Sequence, residues 1–318
     1  MRAAVARLPD LLSKGAAFHF GWHDGEHNLS GVRGKMIRPA LVLSAARLAG
    51  GEPTDDTLRA GVAVELVHNF SLVHDDLVDE DRMRHRRPTV WAQFGSAYAV
   101  QLGDAMLALA NLVLMRGAQG TTTELCAELN SAVMALCVGQ VLDVEFETRP
   151  FVSTDDYLEM VTGKTAALLS ASCGLGALTG SSSPAQLSAL RQFGHHMGLA
   201  FQLTDDLLGI FGDPAVTGKP VGADLLRYKK TMPVVAATCS GSAAGDELRE
   251  IYQRRAITRD RLEGVIELVA CAGGRERTEA EAVKQYDLAL RCLDEADGNA
   301  DATAELRDLA ALMIKRDR

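Results

Sequence analysis

The sequence predicts an all-α protein that forms a single domain. Apolar residues recur at i, i+3, i+4 and i+7 along nearly every long segment of the 318-residue chain, which is the spacing that places them on one face of a helix. No strand-like alternation persists, and only 5% of the residues are aromatic. The breaks between the periodic segments are short, so we expect a bundle of about ten or more helices across residues 1–318.

Clusters of Gly, Pro and small polar residues mark the ends of these helices in order along the chain. GVRGKMIRP (31–39) is a turn that leads into a helix, because a proline is tolerated in the first helical turn. AGGEPTDD (49–56) is a loop whose Thr or Asp caps the next helix. VTGKTAALL (161–169) begins a helix, and residues 245–318 form the C-terminal helices, expected as a final pair. The other loops are RRPT (86–89), MRGAQGTTT (115–123), ETRPFVSTDD (147–156), TGSSSP (179–184), GDPAVTGKPVGAD (212–224) and SGSAAGDE (240–247).

Composition and charge exclude several classes of protein. The net charge of -9 is the wrong sign for a nucleic-acid-binding surface. No run of about 18 uncharged apolar residues is present, so no membrane span is expected, and the N-terminal MRAAVARLPDLLSKG is too often interrupted by charge to be a signal peptide. The six cysteines are scattered without a C-x-x-C pair. They indicate reduced thiols and a cytoplasmic location.

The stretch LVHDDLVDED (72–81) concentrates negative charge within a predicted helix that runs from about Leu58 to Asp81. Its core face carries Val62, Leu66, Phe70, Val73 and Leu77. An acidic column occupies a sector of about 100° opposite much of that face, and it consists of Glu65, His68, Asp75, Asp76 and Asp79. A solvated surface usually mixes Lys and Arg with its acids, and this column has none before Arg82. Cations from elsewhere must therefore balance the charge.

A second acidic pair strengthens this interpretation. FQLTDDLLGIFGDP (201–214) places Asp205 and Asp206 on one helix face with Gln202 and Gly209. If the two helices faced each other, four carboxylates would come together, which is unstable without cations between them. Mg²⁺ suits such oxygen ligands, because it binds one or two carboxylates and completes its shell with substrate phosphate and water.

Basic residues that could bind phosphate flank both acidic motifs. Lys35 and Arg38 share a helix face, on which they could hold one diphosphate, with Arg binding in a bidentate manner. Singly, each basic residue is more often a surface charge, but together they favour a phosphate ligand. The set is Lys35, Arg38, Arg84, Arg86, Arg87, Lys164, Lys219, Lys229 and Lys230.

The order of these motifs resembles that of the trans-prenyltransferases, also called trans-isoprenyl diphosphate synthases. The motifs are GKMIRP, ELVHNFSLVHDDLVDEDRMRHRRPT, GDAML, TGKTAALL, FQLTDDLLGIFGD and TGKPVGADLLRYKKT, and the resemblance runs from about residue 30 to 235. It implies an isoprenoid-synthase-like bundle around a central cavity, a homodimer, and two or three Mg²⁺ ions. It also implies head-to-tail condensation of isopentenyl diphosphate with an allylic diphosphate.

The resemblance assigns expected roles to individual residues. Asp75, Asp79 and Asp205 coordinate Mg²⁺, with Asp76 and Asp206 supporting the metal site. The allylic diphosphate is surrounded by Arg84, Lys164, Thr165, Gln202, Lys219 and Lys229, of which Lys164 and Lys219 assist catalysis. The isopentenyl diphosphate site contains Lys35, Arg38 and His68. The released diphosphate is the expected final base.

This chain departs from the usual family pattern in three places. Arg84-His85-Arg86 stands where Arg-Arg-Gly is usual, so either His85 or Arg86 supplies the second isopentenyl-side cation. Gly209 replaces a third Asp, for which Asp213 or water could substitute. DLLRYKK leaves the choice between Lys229 and Lys230 open.

Phe70 and Ser71, the fifth and fourth residues before the first Asp, indicate product length by analogy with the family. A bulky Phe70 at the cavity floor favours the C20 product geranylgeranyl diphosphate, and the C15 product farnesyl diphosphate is the next choice. Three alternatives stay open: a terpene cyclase, a non-catalytic partner subunit, and a di-iron carboxylate protein built on the Glu65-x-x-His68 element. His19, His23 and His27 are interpreted as loop residues without a metal.

Overall fold

The structure is a computed structural model that describes residues 1–22, 36–117, 121–212 and 222–314. Lys35, Lys219 and Asp213 lie outside the described residues.

The described chain is almost entirely helical, which confirms the predicted all-α class. The predicted loops separate helices at nearly the expected positions. The α-helices are α1 (Arg2–Val5), α2 (Asp10–His19), α3 (Ile37–Leu48), α4 (Asp55–Val78), α5 (Val90–Phe94), α6 (Ser96–Leu114), α7 (Thr122–Thr148), α8 (Thr154–Val161), α9 (Ala167–Thr179), α10 (Pro184–Phe211), α11 (Ala223–Leu226), α12 (Met232–Thr238), α13 (Ala243–Arg254), α14 (Leu262–Cys271), α15 (Gly274–Glu295) and α16 (Ala300–Ile314).

The chain divides into two compact units, each assembled from separate stretches of sequence. The first unit contains Met1–Asn130, Ser172–Leu187 and Gly298–Thr303. The second contains Ser131–Ala171, Ser188–Asp297 and Ala304–Arg318. The single domain over residues 1–318 stays a prediction.

Helix α4 is the central element of the first unit, where it packs against α3 and α6. Its N-terminus is fixed by a capping box in which Thr54 and Thr57 exchange side-chain and backbone hydrogen bonds. The helix therefore starts at Asp55, three residues before the predicted Leu58. Leu66, Phe70 and Val73 are buried as expected. This packing holds the acidic end of α4 in place.

In the second unit, apolar residues of α8, α10 and α12 form one core cluster. Tyr157, Leu203 and Met232 are all buried within it. Helix α12 also packs against α15. The cluster fixes the region of α10 that carries the second acidic pair.

Four local expectations were wrong. His19, expected in a loop, is the last residue of helix α2, and His23 and His27 lie outside the described residues. Residues Met83–Arg84 and Arg87–Pro88 form a two-stranded antiparallel hairpin, β1 and β2, which is too short to show strand periodicity. VTGKTAALL does not begin a helix, because α8 already starts at Thr154, where Ser153 forms a capping box. Helix α8 continues through a π-helical turn, Thr162–Ala166, into α9. The last stretch contains four helices, α13 to α16, where a pair was expected, because Gly273 and the polar segments after Arg254 and Glu295 divide it.

Two helices, α6 and α7, are long and apolar enough to cross a membrane by length and composition alone. In their most apolar windows, 44% and 33% of the residues are buried inside the protein. Core helices of soluble proteins pass the same criterion, so this is weak evidence, and the absence of a span stays a prediction.

Candidate active site

The first acidic cluster lies at the C-terminal end of α4. Asp75 and Asp79 are one turn apart and both are partly exposed, whereas Asp76 is only 2% exposed. Negative side chains are unfavourable at a helix C-terminus, because the helix dipole is itself negative there. Asp75 and Asp79 thus form a partly exposed carboxylate pair whose charge favours a bound cation.

The Asp76 carboxylate is hydrogen-bonded to another residue of the protein. Arg84 Nε donates a hydrogen bond to Asp76 Oδ1 over 2.8 Å. Burial raises the pKa of Asp76 to about 6, and Arg84 counteracts part of that rise. Asp76 therefore holds the β-hairpin that follows α4, whereas Asp75 and Asp79 are partly exposed.

The β-hairpin divides the basic run of residues 84–87 into two groups. Arg87 Nη2 donates to the Phe18 carbonyl oxygen over 2.8 Å, and its guanidinium lies 5.2 Å from the centre of the Phe18 ring. His85 and Arg86 form the exposed tip, with φ of 50° and 63°. A two-residue turn with both φ values positive usually contains Asn or Gly, so two larger side chains indicate strain.

Two partly buried histidines, His19 and His68, lie near the hairpin in the same unit. Burial holds the pKa of His68 well below its ordinary value, and the positive charge of Arg38 lowers it further. His19, from α2, hydrogen-bonds through Nε2 to Asn69 Oδ1 over 2.9 Å. Burial lowers the pKa of His19 to about 4. Both histidines are therefore neutral near pH 7.

The π-helical turn of the second unit presents Lys164 and Thr165 in different directions. Lys164 Nζ forms an ion pair with Asp143 of α7, and Thr165 Oγ1 donates to Gln202 Oε1 of α10 over 2.9 Å. The turn lies close to α7 because both helices carry a glycine there. A Cβ at Gly139 would lie 2.2 Å from the Lys164 nitrogen, and one at Gly163 would lie 2.6 Å from the Ala135 oxygen.

The second acidic pair, like the first, has one partly exposed and one buried carboxylate. Asp205 is partly exposed, and Asp206 is 4% exposed. Asp206 accepts hydrogen bonds from the Tyr157 hydroxyl, from the Met232 backbone N–H at 2.8 Å and from Gln202 Nε2 at 3.0 Å. Burial raises the pKa of Asp206 to about 7 in spite of these donors.

The segment before α12 distinguishes its two lysines. Lys230 Nζ donates to the carbonyl oxygens of Phe146 and Arg149 at the C-terminus of α7, and burial lowers its pKa. Lys230 thus caps a helix. Lys229 is anchored through its backbone N–H to the Asp224 carbonyl oxygen at 3.0 Å. Lys229 stays the predicted ligand-binding residue of the two.

Comparisons with known proteins fit this set of groups. A family model described as polyprenyl synthetase matches residues 25–269. The chain belongs to the polyprenyl synthetase family.

Relatives and a solved structure agree with this assignment. The chain is 42% identical over 324 residues to a geranylgeranyl diphosphate synthase of Mycobacterium tuberculosis, covering 100% of this chain and 90% of that protein. It is 41% identical over 321 residues to a (2E,6E)-farnesyl diphosphate synthase of Mycobacterium bovis, covering 99% and 89%. A polyprenyl synthetase structure from Streptomyces coelicolor superposes with a TM-score of 0.93 at 41% identity, covering 98% of this chain and 95% of that one. The protein is a prenyltransferase that elongates trans-prenyl chains.

The di-iron alternative has no support in the site. The Glu65 carboxylate accepts a hydrogen bond from Asn69 Nδ2 over 3.0 Å, and burial raises the pKa of Glu65. Within the described residues, no group of three His, Cys, Asp or Glu side chains is arranged to hold a metal ion by itself. A metal here would need ligands from a substrate or from water, as Mg²⁺ in phosphate sites does.

The Gly209 departure from the polyprenyl synthetase pattern has a structural counterpart. A Cβ at Gly209 would lie 2.3 Å from Asp224 Oδ2. A carboxylate from α11 therefore already lies beside the position where the family usually has its third Asp. Asp224 belongs to the TGKPVGAD motif, but no pattern in the sequence indicates that its carboxylate lies beside α10.

The two residues assigned to product length differ in their surroundings. Phe70 is 5% exposed and packs edge-on against His74, with ring centres 5.6 Å apart. Ser71 is buried, and its hydroxyl donates to the His68 carbonyl oxygen over 2.9 Å. His74 lies over Gly103 of the GDAML motif, where a Cβ would lie 2.1 Å from His74 Nε2. Phe70 is thus part of a well-packed wall between α4 and α6.

Sequence reasoning interpreted His19 as a loop residue with no role, and it missed four other residues near the site: Asp143, Tyr157, Gln140 and Asp224. Gln140 is notable because both atoms of its side-chain amide are buried without a hydrogen-bond partner among the described residues. Its place one turn before Asp143 on α7 is the only sequence signal that could have pointed to it. The other four contact residues distant in the chain, which no local pattern reveals.

Proposed function

We propose that this polyprenyl synthetase condenses isopentenyl diphosphate with an allylic diphosphate, head to tail, in a magnesium-dependent reaction. One observation carries the proposal. In each Asp-Asp pair, one carboxylate is buried and the other is partly exposed at the protein surface. The partly exposed oxygens of Asp75, Asp79 and Asp205 are the chemistry that Mg²⁺ and a diphosphate require.

The allylic diphosphate and its metal ions would be held by Asp75, Asp79, Arg84 and Asp205, with basic and polar groups around them. Asp76 and Asp206 support the metal ligands through the protein contacts described above. The other proposed ligands of this diphosphate are Lys164, Thr165, Gln202, Lys219 and Lys229. When bound, two or three Mg²⁺ ions would neutralise the negative charge that develops on the leaving diphosphate.

The isopentenyl diphosphate would be bound by Lys35, Arg38 and His68, with His85 or Arg86 as the fourth group. His68 is neutral near pH 7, so it acts as a hydrogen-bond donor, and the arginine side chains carry the positive charge. This set argues against a terpene cyclase, which ionises an allylic diphosphate without isopentenyl diphosphate. The two complete acidic pairs argue against a non-catalytic subunit.

The reaction needs no base from the protein, because the released diphosphate accepts the proton. The allylic C–O bond breaks and the electron pair leaves with diphosphate. The double bond of isopentenyl diphosphate attacks the allylic cation, forming a C–C bond. A proton then passes from the new chain to the released diphosphate. The protein's part is to bind, to orient and to exclude water from the cation.

We propose geranylgeranyl diphosphate as the main product, with farnesyl diphosphate as the second choice. The support is the bulk of Phe70, which packs against His74 on α4, the helix that carries the first acidic cluster. The relatives named for the two products are equally similar to this chain, so their names do not decide between them.

A homodimer in the cytoplasm is the proposed state of the protein. Met134, Val138 and Val141 line one face of α7 and are 68%, 55% and 57% exposed. An apolar stripe of this kind usually marks an interface, and the occupant proposed here is a second copy of the chain. All six cysteines are free thiols, which agrees with a reducing compartment.

The direct test is incubation of the purified protein with Mg²⁺, isopentenyl diphosphate and each of the C5, C10 and C15 allylic diphosphates, followed by chain-length analysis. We expect C20 chains from the C15 starter and none when isopentenyl diphosphate is omitted. Cyclic or unextended hydrocarbons without isopentenyl diphosphate would support the cyclase alternative, and no product from any starter would support a non-catalytic subunit.

A further inference from the structure

We propose that Tyr157 is a positioning residue for the allylic diphosphate, acting through the buried carboxylate of Asp206. This inference rests on the proposed function. Tyr157 lies on α8 and is 1% exposed, and its hydroxyl donates to Asp206 Oδ2.

Asp206 connects three segments of the second unit through one side chain. Its Oδ2 also accepts the Met232 N–H over 2.8 Å. Its Oδ1 accepts Gln202 Nε2 over 3.0 Å, and Gln202 Oε1 in turn accepts the Thr165 hydroxyl over 2.9 Å. The hydrogen bonds therefore run from α8 through α10 to the π-helical turn in one direction and to the start of α12 in the other.

The segments joined in this way carry the candidate allylic groups. Thr165 follows Lys164 directly, and Lys229 precedes Met232 by three residues. Asp205, the partly exposed carboxylate, is the neighbour of Asp206. A shift of the Asp206 carboxylate would therefore move Lys164 and Lys229, the candidate cations, and Asp205, the candidate metal ligand.

Burying a carboxylate with a tyrosine hydroxyl costs free energy that only complete hydrogen bonding offsets. A phenylalanine would fill the same apolar core cluster without that cost. With three protein donors, Asp206 has little capacity left for a metal ion. The cost is therefore best explained by the need to fix the groups around Asp205.

A purely structural role for Tyr157 predicts different kinetics from a positioning role. Loss of packing or stability lowers the fraction of active protein, which reduces kcat and leaves both KM values unchanged. Loss of positioning weakens the contacts to one substrate only. The KM for the allylic diphosphate would rise, and the KM for isopentenyl diphosphate would not.

The experiment compares Tyr157→Phe with wild type and with Tyr286→Phe, which changes a partly buried tyrosine of α15 outside this network. With farnesyl diphosphate and isopentenyl diphosphate, we expect the allylic KM of Tyr157→Phe to rise roughly tenfold, the typical effect of losing a hydrogen bond to a charged group. Tyr286→Phe should match wild type. In the metal-free protein, the Met232 amide should exchange its hydrogen faster in Tyr157→Phe than in wild type.

The outcomes separate this inference from the proposed function. An inactive wild type overturns the proposed function, and amide exchange then still reports whether the Tyr157 link exists. An active wild type with unchanged allylic KM in Tyr157→Phe overturns the inference, even when Met232 exchanges faster. If Tyr157→Phe does not fold, Asp206→Asn, which keeps the shape of the side chain, is measured in the same way and must show the same selective rise.

Discussion

His19 shows how one residue couples stability to pH. Burial lowers its pKa from 6.5 to about 4, so the unfolded chain binds a proton between those values while the folded chain does not. Stability is therefore present above pH 6.5 and is lost as the pH falls toward 4. We expect the His19 contribution to decrease by no more than about 3 kcal/mol over that range.

Urea unfolding of the metal-free protein at pH 7 and pH 5 tests this prediction. His19→Gln removes the titrating group and can still donate to Asn69, so its loss of stability between the two pH values should be smaller than that of wild type. An equal loss in both proteins would show that His19 is not the group that titrates.

Arg86 provides a second prediction at the scale of a residue. Its φ of 63° is unfavourable for a side chain, so Arg86→Gly should stabilise the protein by about 1 kcal/mol. If Arg86 contacts the diphosphate, the same change raises the KM for isopentenyl diphosphate several-fold. Thermal unfolding and steady-state kinetics measure the two effects.

Ser181→Gly is the matched control for Arg86→Gly, because Ser181 has a φ of 65° in a loop of the same unit. It should gain similar stability with no change in KM. An unchanged isopentenyl KM in Arg86→Gly would leave His85 as the cation at the hairpin tip.

At the scale of an element, the contact between α7 and the π-helical turn should be sensitive to volume. A Cβ at Gly139 would meet the backbone of Lys164 at 2.2 Å, and backbone cannot move aside as a flexible side chain can. We expect Gly139→Ala to destabilise the protein by about 1–3 kcal/mol and to separate Lys164 from Asp143. Unfolding and condensation rate are the measurements.

Gly264→Ala is the control, since it also replaces a helical glycine but has nothing within 4 Å of the new Cβ. It should stabilise the protein by up to about 1 kcal/mol, because alanine favours the helix. If Gly139→Ala behaved like Gly264→Ala, the close approach of the two elements would be wrong.

Elements and motifs differ in how far the sequence predicts them. Periodicity and loop residues located nearly all helices and both acidic faces. A helical wheel gives the direction of a side chain but not the depth to which it is buried, so it grouped Asp76 and Asp206 with their exposed neighbours. The π-helical turn, the hairpin and the approach of Asp224 to Gly209 depend on contacts between distant residues, which one sequence does not contain.

For the whole molecule, the α7 stripe predicts how the protein assembles. Val138→Glu combined with Val141→Glu places two charges on the apolar face, so a dimer that uses it should dissociate, as measured by sedimentation velocity. Val283→Glu, on α15 and 61% exposed, is the control and should leave the dimer intact. A dimer that survives the double change would exclude this face as the interface.

The central claim is that the partly exposed aspartates hold magnesium against an allylic diphosphate. The most direct measurement is the rate of condensation as a function of Mg²⁺ concentration, in wild type, in Asp75→Asn and in Asp55→Asn, which alters the 88% exposed carboxylate at the other end of the same helix. We expect no product in a chelator, full activity for Asp55→Asn, and a loss of at least about a hundredfold for Asp75→Asn. Condensation that continues in a chelator, or a wild-type rate in Asp75→Asn, would contradict the account.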